Sequence, residues 1–97
     1  MSASSAALPP VTHAPAESRF LLNVDGFDAV VEYESRDGVM TITHTRVPEA
    51  IGGRGIAAHL VRAALDHARA EGLKVVPACS YVAVFMQRHG EYAGLLE

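Results

Sequence analysis

From Phe20 onward apolar and polar residues alternate. Phe20, Leu22 and Val24 are interleaved with Asn23 and Asp25, a two-residue period that predicts a short strand starting near Arg19. Asp25-Gly26 predicts a two-residue hairpin turn, because both residue types tolerate positive φ. Phe27, Ala29, Val31 and Tyr33 then share one face of a second strand, with Asp28, Glu32 and Glu34 around them. Ser35-Arg36-Asp37-Gly38 predicts a second turn. A third strand follows from Val39 to about Val47, with β-branched Thr41-Ile42-Thr43 and Thr45 at its centre. Pro48 ends that ladder because it has no N–H to donate.

Beyond Pro48 the period changes to three and four. Ile56, Leu60, Val61, Ala64, Leu65 and Ala68 form one stripe, while His59, Arg62, Asp66 and Arg69 lie opposite. This predicts an amphipathic helix ending near Glu71, with Gly72 as its stop. Lys74 to Pro77 reads as a short buried strand. Ser80 is a candidate cap for a second helix from Tyr81 to about His89, which Gly90 stops, leaving Tyr92, Leu95 and Leu96 to pack from the tail. The order β-β-β-α-β-α is an antiparallel meander followed by helix–strand–helix, an α+β (α/β) class with one parallel pairing. Residues 19–97 form a single domain on this reading. Met1 to Ser18 is rich in Ser, Ala and Pro, has no Lys or Arg and no long apolar run, so a disordered leader is expected at 1–18 rather than a signal or transit peptide.

Composition narrows the function classes. With 97 residues, 49% of them apolar and 20% charged, the chain holds one globular domain with a small core. The net charge of −3, with no basic stripe, argues against nucleic acid as a partner. No run approaches the roughly 20 apolar residues of a membrane span. The one cysteine, Cys79, makes neither an intramolecular disulfide nor a cysteine-based zinc site, so no metal is expected. A lone thiol suits a reducing compartment, and a cytoplasmic location is expected.

The most informative stretch is Val47-Pro48-Glu49-Ala50-Ile51-Gly52-Gly53-Arg54-Gly55-Ile56-Ala57, which joins a strand directly to a helix. N–H groups at a helix start are unpaired and carry roughly half a positive charge. Glycines let a phosphate approach that backbone, and Arg54 adds forked donors suited to phosphate oxygens. A plain connector whose glycines only permit a bend is the simpler reading of this segment alone. It is not a P-loop, since no Lys-Ser/Thr pair follows the last glycine, and no βαβ unit surrounds it as in a Rossmann site.

Gly52-Gly53-Arg54-Gly55-Ile56-Ala57 resembles the coenzyme A signature of GNAT acetyltransferases, Gln/Arg-x-x-Gly-x-Gly/Ala. Gly55 and Ala57 match its last two positions, while Gly52 stands where the superfamily has Arg or Gln, leaving only backbone donors there. His44-Thr45-Arg46-Val47-Pro48, Arg54-Gly55-Ile56-Ala57, Leu73 to Pro77, Cys79-Ser80-Tyr81-Val82 and Arg88-His89-Gly90-Glu91-Tyr92 are similar to the short YjdJ-type branch of GNAT-like N-acetyltransferases. The similarity extends from about Arg19 to Leu96. It implies a reduced GNAT acyl-CoA N-acyltransferase fold without the N-terminal strand–helix–helix of larger members. It further implies acetyl-CoA or coenzyme A as co-substrate and an amine acceptor, either a small molecule or a peptide. Val47 would run beside the pantetheine arm by its backbone, and the turn from Gly52, chiefly Gly53 to Ala57, would cradle the pyrophosphate.

Two residues are the catalytic candidates. Cys79 precedes the final helix, whose N-terminus favours a thiolate; it can accept the acetyl group covalently or protonate departing coenzyme A. The competing reading is a small buried apolar residue. His44 can serve as general base, against the alternative of a strand histidine facing solvent. Three positions separate it from Val47, so the two side chains take opposite faces. Tyr81 is a candidate acid or a packing residue, and Arg88-His89 either meet a 3′-phosphate or complement the helix dipole. His59 and His67 lie eight residues apart, about 12 Å on a helix, too far to share a metal, and read as surface residues. Glu32 and Glu34 point the same way and read as a solvated face more readily than as an acid–base dyad. Two other classes stand beside the enzyme: a non-catalytic acyl-CoA-binding or regulatory module, and a structural domain whose glycines serve the bend alone. A monomer or weak homo-oligomer is expected, the exposed edges of a short sheet permitting self-association.

Overall fold

The computed structural model of the chain describes residues 8–97. Five strands, β1 (Thr12–Ala14), β2 (Arg19–Val24), β3 (Phe27–Arg36), β4 (Val39–Arg46) and β5 (Lys74–Pro77), form one sheet in sequence order. The first four pair antiparallel, and β5 joins β4 parallel after a crossover through α1 (Ile56–Ala70). A second helix, α2 (Ser80–Arg88), and a 3-10 segment, Gly90–Leu95, complete the chain. The α+β reading therefore holds, with one strand more than the alternation indicated.

Local chemistry explains the turns. Asp25 and Gly26 take φ of 53° and 84°, the paired left-handed conformation of a tight hairpin. The second hairpin is tighter than expected. Ser35 and Arg36 still pair with Met40 and Val39, so only Asp37 and Gly38 turn. Helix α2 starts at Ser80 with Cys79, not Ser80, at the cap position.

One side of the sheet is buried. Phe20, Leu22, Ala29, Val31, Tyr33, Met40 and Ile42 meet Ile56, Leu60, Val61, Ala64, Leu65 and Ala68 of α1 and Val82, Phe85 and Met86 of α2 in a single cluster. Both helices thus lie on the same face. Val30 is buried but outside that cluster, on the other side of β3, where Glu32 is half-buried and His44 and Arg46 of β4 are exposed. No helix of the described residues covers this second face, and none is long and apolar enough to cross a membrane.

Order reaches further back than Arg19. Thr12–Ala14 pairs with Leu21, Phe20 and Arg19, and His13 stacks on Phe20 with ring centres 4.1 Å apart. Its Nε2 lies 2.6 Å from the Tyr33 hydroxyl, and His67 meets it edge-on at 4.4 Å. His59 Nε2 lies 3.0 Å from the Pro9 carbonyl. These contacts replace the expected leader over 12–17 with a strand and a 3-10 turn; residues 1–7 of that expectation lie outside the described residues. They also correct the reading of His59 and His67. The spacing that kept the two histidines from a common metal lets them grip the N-terminal segment at two points.

Burial, reinforced by the neighbouring His67, holds the His13 imidazole below its ordinary value of 6.5. The folded chain therefore binds fewer protons there than the unfolded chain, and the contribution to stability is complete above that value and declines as pH falls through it. The expected result is a Tm that drops between pH 7.5 and 5.5, with a shallower drop in His13→Phe, which keeps the stacking and loses the titration. Identical slopes in thermal scans of the two proteins would rule out His13 as a source of the dependence.

Candidate functional site

The site begins where two strands part. Parallel pairing of β4 with β5 runs from Val39↔Lys74 to Ile42↔Pro77. Pro77 cannot extend the ladder, and the last link is the Cys79 N–H to the Ile42 carbonyl at 3.0 Å. From Thr43 to Arg46 the side of β4 turned toward β5 has no strand partner among the described residues. A bulge marks the same place. Glu32 pairs with His44 and Tyr33 with Ile42, so Thr43 is an extra residue on β4, its hydroxyl donating to the Glu32 carbonyl at 3.2 Å. The bulge resets the alternation. Thr45 falls opposite buried Val31 on the helix side, while His44 faces the uncovered side with its side chain 63% exposed.

Beyond β4 the chain turns into α1. Val47 packs partly against the core, and a 3-10 turn, Glu49–Ile51, plugs fully buried Ile51 into it. Gly53 and Gly55 take φ of 77° and 75°, conformations that side chains rarely adopt. A Cβ on either would meet nothing within 4 Å, so both glycines face open space; at Gly52 it would stand 3.3 Å from the Glu49 carbonyl. The first N–H of α1 with a backbone acceptor is that of His59, bonded to Gly55 at 3.0 Å. The donors of Gly53 to Ala58 have no such partner among the described residues, and the turn that carries the first of them, Gly53 to Gly55, is exposed. Arg54 is engaged: its Nη1 lies 2.7 Å from Asp25 Oδ2, tying the glycine turn to the tip of the β2–β3 hairpin. No sequence signal pointed to Asp25 in this role, because the partners are far apart in the chain and meet only through the fold.

Cys79 sits half-buried at the start of α2, its thiol donating to the Thr45 hydroxyl at 3.6 Å. Burial pushes the thiol up. Once ionised, the sulfur accepts from the Thr45 hydroxyl and from the backbone at Val82 and Tyr81; these bonds outweigh burial, and the group ends below its ordinary value. His44 Nδ1 lies 3.5 Å from Glu32 Oε1, and Arg46 Nη2 2.8 Å from Glu32 Oε2. The two catalytic candidates therefore do not partner each other. Cys79 engages Thr45 on the helix side of β4, and His44 engages Glu32 on the other. Thr45 is a neighbour that the sequence did not single out, and Glu32, read there as part of a solvated face, is half-buried between His44 and Arg46. At the edge of the uncovered side, Arg19, Asp28, Val30 and Arg46, with Thr45, Val47 and Pro48 from the strand end, line a shallow groove of about 620 Å³.

The remaining candidates have other occupations. Tyr81 is exposed and lies tilted beside Phe85. His89 stacks on Phe85 at 3.9 Å and its Nδ1 lies 2.8 Å from the Phe85 carbonyl, closing the end of α2. Glu34 is exposed and apart from the Glu32 contacts. Among the described residues no group of three or more His, Cys, Asp or Glu is placed to hold a metal.

Three comparisons bear on this geometry. The family model for GCN5-related N-acetyl-transferase matches residues 19–95. Protein NATD1 of Homo sapiens is 35% identical over 82 residues, covering 81% of this chain and 73% of that protein. Protein NATD1 of Danio rerio is 36% identical over 87 residues, 84% of this chain and 79% of that one. The solution structure of a GCN5-like N-acetyltransferase candidate from Staphylococcus aureus superposes with a TM-score of 0.71 at 26% identity, over 90% of this chain and 86% of that one.

Proposed function

Because the chain belongs to the GCN5-related N-acetyltransferase family, we propose that it binds acetyl-coenzyme A and passes the acetyl group to an amine acceptor, a small molecule or a peptide. The observation that carries this reading is the continuity of two features. The stretch of β4 from Thr43 to Arg46, whose edge toward β5 has no strand partner among the described residues, runs through Val47 straight into a turn of N–H donors without backbone acceptors. Such an edge suits the amide-bearing pantetheine arm, with Val47 bonding through its backbone. The pyrophosphate suits the turn Gly52-Gly53-Arg54-Gly55-Ile56-Ala57, where two glycines open onto free space at a helix start. Arg54 stands beside it, with donors left over from its contact with Asp25. The lone thiol and the use of acetyl-CoA suit a cytoplasmic location on this reading.

Bound acetyl-coenzyme A would supply an activated thioester, whose C–S bond breaks as the acceptor's C–N bond forms. His44, on the uncovered face, takes the proton that the acceptor ammonium must lose before it can attack. Cys79, at the mouth of the gap with its thiol held by Thr45, donates a proton to the departing thiolate and recovers one from solvent. One acceptor ammonium and one thioester thus give one amide, one thiol and one released proton.

Calorimetric titration with acetyl-CoA and with free coenzyme A should give saturable binding, and an amine panel should reveal turnover. His44→Gln should lower kcat about 100-fold, within the 10²–10⁴ typical of a lost base, without changing coenzyme A affinity. Binding without turnover on any amine would convert the reading to a non-catalytic acyl-CoA module. No binding by the folded protein at millimolar ligand would sink it.

A further inference from the structure

We propose that Glu32 is the positioning residue for His44, and that Arg46 locks Glu32 into this task; the proposal rests on the reading of His44 as the base. Glu32 divides its two oxygens. Oε2 is held by Arg46 Nη2 at 2.8 Å, which turns Oε1 toward His44 Nδ1 at 3.5 Å. Its backbone carbonyl meanwhile accepts the hydroxyl of the bulged Thr43. One residue thereby fixes both the irregularity that turns His44 outward and the ring that results. The carboxylate is only 29% exposed, against 63% for His44 and 65% for Arg46, so it is the best-shielded member of the group. The other charged neighbour in the row, Arg19, pairs across the strands with Glu32 but sends its guanidinium to Glu17 at 2.7 Å and does not compete.

The chemical consequence concerns which nitrogen carries the proton. At 3.5 Å the contact is electrostatic and longer than a close hydrogen bond; an ionised carboxylate only accepts, so it favours the neutral tautomer that carries N–H at Nδ1. The lone pair then sits on Nε2, the nitrogen turned away from Glu32. Free imidazole side chains favour the opposite tautomer, with the proton on Nε2, and the Glu32 carboxylate beside Nδ1 works against that preference. It also neutralises Arg46, which would otherwise repel an approaching ammonium. The base so arranged works on the face that neither helix covers, and acceptors reach it from there.

Long-range ¹⁵N spectra of the imidazoles test this directly, with His44→Gln used to assign the signal. Wild-type His44, when neutral, should show the Nδ1–H pattern. Glu32→Met should return it to a majority of Nε2–H, and Glu32→Asp should restore part of the Nδ1–H population. In turnover assays, Glu32→Met should lose roughly tenfold in kcat, less than a full base deletion, with the KM for acetyl-CoA unchanged and Glu32→Asp intermediate. An Nε2–H pattern in the wild type, or no tautomer change in Glu32→Met, overturns the proposal. If the tautomer shifts as stated in a protein that acetylates nothing, Glu32 still orients His44 and it is the catalytic reading that fails.

Discussion

Replacing Gly55 by glutamate is expected to raise the Kd for acetyl-CoA at least about 100-fold while leaving the protein folded. The two halves of that statement have separate causes. Gly55 sits at φ 75°, and a side chain there costs about 1–2 kcal/mol of backbone strain. No protein atom lies within 4 Å of the new Cβ, so no collision adds to it. A carboxylate at the start of α1 recovers about 0.3–1 kcal/mol from the helix dipole. The net cost is then at most about 2 kcal/mol, a small part of the 5–15 kcal/mol typical of a domain. Ligand binding has no such compensation. The glutamate fills the space a pyrophosphate would need and sets a like charge against it, where each lost 1.4 kcal/mol is tenfold in affinity. Gly55→Ala, with strain but no charge, should lose only about tenfold. Calorimetry beside a thermal scan separates these contributions, and wild-type affinity in Gly55→Glu would move the pyrophosphate elsewhere.

The second large effect is on stability. Ile51→Ala should cost about 2–4 kcal/mol, because Ile51 is fully buried and its removal leaves a cavity. At about 4–8 °C per kcal/mol for a domain of this size, the Tm should fall by roughly 8–32 °C. Ile51→Val should cost no more than about 1.5 kcal/mol. Ile51 is also the residue that pins the 3-10 turn ahead of Gly52, so the folded fraction of Ile51→Ala should bind acetyl-CoA more weakly than wild type. A Tm within about 2 °C of wild type would show that the turn is anchored by something else.

Periodicity was a good guide wherever a residue's environment was set by its near neighbours. The hairpins, the stripe from Ile56 to Ala68 and the parallel return of Lys74–Pro77 all follow from local spacing. It misled at Thr43. Strict alternation from Met40 and Ile42 would bury His44 and expose Thr45, and one extra residue reverses both. A bulge leaves no mark in composition. The N-terminal strand was missed for a related reason. Thr12–Ala14 has little pattern of its own, and what orders it is Phe20, Tyr33 and His67, contributed by three other elements. The glycine turn could be located from residues because glycine spacing and the onset of the helical period are both local signals. Asp25, Thr45 and Glu32 could not, since each matters through a partner 29, 34 or 12 positions away.

The parting of β4 from β5 after Ile42 has a consequence for the protein's life in a cell. On the proposed reading the co-substrate completes an unfinished sheet, so supply of the metabolite and survival of the polypeptide become linked. At a ligand concentration 100 times Kd, mass action adds about 2.7 kcal/mol to the folded state. For a small domain that is enough to alter the share of molecules open to proteases, and with it the steady-state amount of protein. Starvation for acetyl groups would then both slow the reaction and thin the population of molecules able to perform it.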